Sequence, residues 1–104
     1  MAWIILVVSG LLEAVWAAAL SASQGLSRLR PALLFAVSLT ASMAGLGYAL
    51  RTIPVGTGYA VWVGIGAVCT AVYGMVVLGE PATAARLVCL ALIVGGVVGL
   101  KFLP

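Results

Sequence analysis

The chain contains no histidine, and only two of its 104 residues, Glu13 and Glu80, are acidic. Cys69 and Cys89 each lie inside an apolar run, so neither a zinc site nor a disulfide framework has the ligands or the spacing it needs. No metal and no cofactor are expected, and both cysteines read as packing residues. There is no Gly-Lys-Ser/Thr loop to cradle a nucleotide phosphate, and nothing in the pattern suggests hydrolysis or redox chemistry. The chain is therefore read as a non-enzyme. Its five basic residues, Arg28, Arg30, Arg51, Arg86 and Lys101, are scattered between apolar blocks, where a nucleic-acid-binding surface would gather them into a stripe. They read as interfacial anchors, with no nucleic acid as a partner.

What the chain has in abundance is apolar length. Hydrophobic residues make up 65% of it and charged residues 7%, far below the roughly one-quarter charged content of soluble domains. A membrane-spanning helix needs about 20 apolar residues, so four of them use nearly the whole chain and leave only short connections. The expected fold is an all-α membrane protein, a single domain over residues 1–104, with helices at about 2–20, 31–50, 57–78 and 84–103. Gly25, the pair Pro54 and Gly56, and the pair Gly79 and Pro81 punctuate the connections. The first span ends in small residues that imitate a signal-peptide cleavage site, but it has no basic n-region and three more spans follow it.

Orientation is weakly encoded. With four spans, Arg51 and Lys101 fall on one side of the membrane and Arg28, Arg30 and Arg86 on the other. Topology follows the asymmetry of Lys and Arg near the helix ends. A chain so evenly charged is expected to insert both ways, giving an antiparallel, dual-topology dimer. Alternating access is commonly built from inverted repeats around a midplane site, and pairing opposite orientations supplies an inversion that no internal repeat provides. Small residues allow close helix contacts in lipid, which makes Gly95, Gly96 and Gly99 the candidate dimer seam.

Glu13 is the only charged residue among the first twenty. A charge at the centre of a membrane helix costs roughly 2.5 to 3.5 kcal/mol on insertion scales, so intramembrane carboxylates mark function. At 100° per residue Ser9, Gly10, Glu13, Trp16, Ala17 and Leu20 share one face. Gly10 is expected to leave space beside the carboxylate, and Trp16 to offer an N–H and a π face to a cation. Ser38, Ser42 and Gly45 form a stripe on the second helix, and Tyr59, Trp62, Gly66, Thr70 and Tyr73 one on the third. A carboxylate among such donors suits a small, planar, weakly hydrated cation such as guanidinium. Packing and interfacial anchoring remain the competing reading for the aromatics and serines. Glu80, beside Pro81, is expected to make a water-exposed pair with Arg86.

Taken together, "GLLEAVW", the loop "SQGLSRLRP" and the run "IPVGTGYAVWVGIGA" resemble the small multidrug resistance family, specifically its guanidinium exporter branch, over essentially the whole chain. The resemblance implies a multi-pass protein of the bacterial inner membrane, working as an antiparallel homodimer or a heterodimer with a sister subunit, that exchanges protons for cations through Glu13. It implies that Gly10, Trp16, Ser42, Tyr59 and Trp62 line the substrate site, with Ser42 and Trp62 helping to orient the glutamate, and that Gly64 and Gly66 form a bend in the third helix. Ser21 and Leu26 depart from the Lys and Phe common in relatives.

Three functions compete. The first is proton-coupled export of guanidinium and small substituted guanidines, whose alkyl tail could leave between helices if Gly45 and Ala49 leave a gap. The second is export of quaternary ammonium or aromatic cations. The third is a non-transporting membrane subunit whose Glu13 pairs with a partner's charge. The expected partners of the first are guanidinium-type cations, protons and the lipid bilayer.

Overall fold

In the computed structural model, which describes residues 1–103, the chain forms four helices: α1 Ala2–Ala22, α2 Leu29–Ala49, α3 Val55–Val76 and α4 Ala84–Phe102. At about 1.5 Å per residue each is about 28 to 33 Å long, matching the roughly 30 Å hydrocarbon core of a bilayer. All four are long and apolar enough to cross it.

The ends differ from the sequence expectation by two residues or fewer, for local reasons. α2 begins at Leu29, before Pro31, because the first turn of a helix has no intrahelical partner for its N–H groups and tolerates a proline. α3 starts directly after Pro54, its N-cap. It stops at Val76 because the chain reverses through Gly79 at φ +72, and the Glu80 N–H returns to the Gly74 carbonyl at 3.0 Å. Thr83 caps α4 by accepting the Arg86 N–H at 3.2 Å. Between α1 and α2, Gln24, Gly25 and Leu26 all have positive φ. Buried Ser23 holds this left-handed turn, its hydroxyl donating to the Leu20 carbonyl at 2.7 Å and accepting the Leu26 N–H at 3.0 Å.

α1 is the central helix, packed against α2 and α3, whereas α4 packs against α3 alone. Near its far end the Lys101 ammonium lies 5.7 Å from the centroid of the Trp3 ring of α1. The molecule is a slab of 43 × 35 × 17 Å. Leu6, Leu46, Ala49, Ile53, Val61 and Trp62 form its buried core. Ser9, Ser38 and Ser42 are buried as well, while Val37, Val76 and Leu92 point outward. Polar groups inside and apolar groups outside is the arrangement expected of a chain solvated by lipid.

Two close approaches fix the helices around α1. A Cβ at Gly45 would collide with the Ser9 hydroxyl, so α2 lies tightly on α1. The gap expected at Gly45 and Ala49 is closed: Ser9 fills the first position and Ala49 is fully buried. On the other side, a Cβ at Gly10 would come within 2.8 Å of Ile65 Cγ2, which brings α3 equally close.

Candidate functional site

Glu13 lies one residue past the midpoint of α1. Its carboxyl group does not sit beside Gly10, as the sequence suggested, because Ile65 occupies that space. The glycine against it is Gly66, where an added Cβ would overlap the carboxyl carbon and Oε2. The two contacts are reciprocal: Ile65 of α3 fits against Gly10 of α1, and Glu13 of α1 against Gly66 of α3. Oε2 is buried and has no hydrogen-bond partner among the described residues.

One turn earlier, three polar groups form a chain. The indole N–H of Trp62 donates to the Ser42 hydroxyl at 3.1 Å, and that hydroxyl donates to the backbone carbonyl of Ser9 at 2.7 Å. In an α-helix the carbonyl of residue 9 faces the N–H of residue 13, so α2 and α3 grip the turn that carries the carboxylate. The resemblance implied that Ser42 and Trp62 help to orient the glutamate. In the structure Ser42 stands level with Ser9 and spends its proton on the main chain. Ser42 is fully buried and Trp62 nearly so, which makes this a rigid connection.

The remaining predicted residues fall into two groups. Trp16 packs edge-on against Phe35, with ring centroids 6.0 Å apart. Its indole N–H is buried without a partner among the described residues, as is Glu13 Oε2 on the same helix. Tyr59 stacks obliquely on Trp62 at 5.8 Å but is largely exposed. Gly64 faces α4 at Val97 and Ile93, and α3 runs unbroken through Gly64 and Gly66. Gly95, Gly96 and Gly99 face outward with nothing near their Cβ positions. They take no part in the Glu13 constellation. An apolar groove of about 550 Å³, lined by Ala14, Ala18, Arg30, Leu34 and Tyr73 among others, begins at the residue after Glu13 without including it.

Sequence reasoning missed the Ser9 carbonyl as the target of Ser42, since a main-chain acceptor leaves no mark in a sequence. It also missed Gly66 as the residue facing the carboxylate, although Gly66 shares a stripe with Trp62.

What this arrangement offers chemically is an acceptor at the middle of a membrane-spanning helix with an unpartnered oxygen, held on a braced helical turn. Such a group can take up a proton or a cation. The comparisons with known proteins point the same way. Residues 1–93 match the family model described as Small Multidrug Resistance protein. The chain is 54% identical over 101 residues to the guanidinium exporter of Yersinia pseudotuberculosis, covering 97% of both chains. It is 54% identical to that of Escherichia coli and 52% identical to that of Salmonella typhimurium, covering 97% of this chain and 96% of each relative. This chain is a multi-pass protein of the bacterial inner membrane and belongs to the small multidrug resistance family.

Proposed function

We propose that the chain exports guanidinium and small substituted guanidinium cations in exchange for protons, with Glu13 binding either one. The observation that carries this reading is the buried Glu13 Oε2 with no hydrogen-bond partner among the described residues. A carboxylate at that depth is costly to leave unpaired, and a transported ion can supply the missing partner. Guanidinium suits it, being planar, weakly hydrated and able to give two parallel N–H bonds to one carboxylate. The name carried by the relatives agrees. Because proton and cation compete for one carboxylate, occupancy by either excludes the other and the two fluxes are coupled.

The transporting unit in this reading is an antiparallel dimer, with Gly10, Trp16, Ser42, Tyr59 and Trp62 lining a site shared by two copies of Glu13. α4, which has no buried residue, presents Gly95, Gly96 and Gly99 for contact with a second copy. The near-even split of basic residues favours insertion in both orientations. Cysteine labelling of the chain ends in intact cells should reach both termini from outside in a fraction of copies, and a single orientation throughout would exclude the homodimer.

The deciding experiment is flux in proteoliposomes of the purified protein. Guanidinium and singly substituted alkyl guanidines should enter in exchange for protons, while tetramethylammonium, which has no N–H, should be carried poorly. A site built on hydrogen bonds rejects analogues lacking the donors because its buried polar groups are left unpaired. Equal rates for the two cations would refute the hydrogen-bond account and favour an exporter of quaternary ammonium ions. Flux from this chain alone, without another subunit, would eliminate the non-transporting role.

A further inference from the structure

We propose that Gly66 is a positioning residue for Glu13: the missing side chain at this one point of α3 forms the seat that holds the carboxyl group in register with α1. The inference rests on the reading of Glu13 as the ion-binding group. Three observations meet here. A Cβ on Gly66 would overlap the Glu13 carboxyl carbon and Oε2 and press on Cγ. Gly66 is itself buried, so the overlap has no open side to relax into. The neighbouring Ile65 packs into the space a Cβ on Gly10 would need, its Cγ2 lying 2.8 Å from that position, which limits how far α1 and α3 can slide to escape the clash.

Glycine inside a helix is otherwise unfavourable relative to alanine, and α3 keeps it where the carboxyl lands. Ser42 and Trp62 brace the backbone of α1 one turn away, but nothing in that chain of bonds sets the direction of the Glu13 side chain. Contact with Gly66 does. The seat admits a flat carboxyl group and excludes a methyl, so it acts through shape, leaving the oxygens free for a proton or a cation.

The test pairs a substitution that fills the seat with one that shortens the group sitting in it. Gly66→Ala should lower guanidinium flux by about tenfold, the effect of overpacking a close contact. Adding Glu13→Asp, which withdraws the carboxyl by one methylene, should recover a substantial part of that loss, even though Glu13→Asp alone impairs the protein. A double variant no better than Gly66→Ala would overturn the proposal, since a general need for a flexible or bent α3 gives no such rescue. A second readout needs no substrate. The rate at which a hydrophobic carbodiimide modifies Glu13 should rise severalfold in Gly66→Ala as the carboxyl is pushed out of its seat; an unchanged rate would overturn the proposal. If the natural protein carries no guanidinium while this rate still responds, the transport reading fails and the seat stands. Should Gly66→Ala fail to fold, adding Glu13→Ala should restore a cooperative thermal transition, and failure to restore it would count against the overlap.

Discussion

Both acidic side chains of this protein rest on a glycine of α3. Glu13 lies against Gly66, and Glu80 lies against Gly74, where an added Cβ would come within 2.8 Å of its carboxyl atoms. The surroundings then diverge. Glu80 sits in the connection between α3 and α4, 45% exposed, with the Arg86 guanidinium 3.2 Å from Oε1. Glu13 is held at the middle of α1, with Oε2 buried and unpartnered. The chain thus seats and neutralises a carboxylate with its own arginine at the edge of the bundle, while among the described residues no cation pairs with the one at its centre. Under the proposed function, an ion from outside the fold is the partner of Glu13.

The sharpest way to break this comparison is to neutralise each acid in turn. Glu13→Gln should abolish proton-coupled guanidinium flux while the protein still extracts and elutes like the unmodified chain, because the amide keeps the shape and loses the exchangeable charge. Glu80→Gln should leave flux close to normal. Coupled flux surviving in Glu13→Gln, or lost in Glu80→Gln, would show that the two carboxylates have been assigned the wrong roles.

The Trp62–Ser42–Ser9 chain allows a smaller perturbation that leaves both carboxylates in place. In Ser42→Ala the indole N–H of Trp62 loses its buried acceptor, and an unsatisfied buried group costs about 1 to 3 kcal/mol. The thermal midpoint should fall, and guanidinium flux should weaken because the turn carrying Glu13 is no longer gripped. Adding Trp62→Phe removes the stranded donor, and the stability lost by the double variant should be less than the sum of the two single losses. Simple additivity would mean that the bond at 3.1 Å contributes little.

How much of this was legible in the sequence depends on whether the determining contacts are local. The four helices follow from apolar blocks of membrane length and from Pro31, Pro54 and Gly79, which act within their own segments. The Glu80–Arg86 pair could be expected because only five residues separate its members across the connection into α4. Glu13 stood out as a charge in an apolar span. The glycine opposite it could not be named with the same security. Gly10 is the sequence neighbour of Glu13, yet Gly66 is its spatial neighbour, and the difference lies in the rotation of α1 against α3. That rotation is set jointly by Ile65, Ser9 and Gly45, residues on three helices that no single periodic pattern links. The peripheral position of α4, which has no buried residue, was equally illegible, since its composition resembles that of helices with buried faces.

The smallest expected effect lies at the Glu80 end and tests the other half of the comparison. Arg86 donates to Glu80 Oε1 at 3.2 Å and to the Pro81 carbonyl at 2.9 Å, and its own N–H is capped by Thr83. These bonds tie the start of α4 to the end of α3. Arg86 is 40% exposed, however, and exposed ion pairs are typically worth about 0.2 to 1 kcal/mol because water and salt screen them. Arg86→Ala removes both side-chain bonds and leaves the Thr83 cap in place, since the Thr83 hydroxyl accepts from the main-chain N–H of residue 86. The thermal midpoint should therefore drop only slightly, the drop should shrink further at high ionic strength, and guanidinium flux should persist. A large loss of stability would mean that the connection, more than the packing of α4 on α3, holds the fourth helix in place. In that event the Glu80 pair would be a structural clamp of the same weight as the contacts around Glu13.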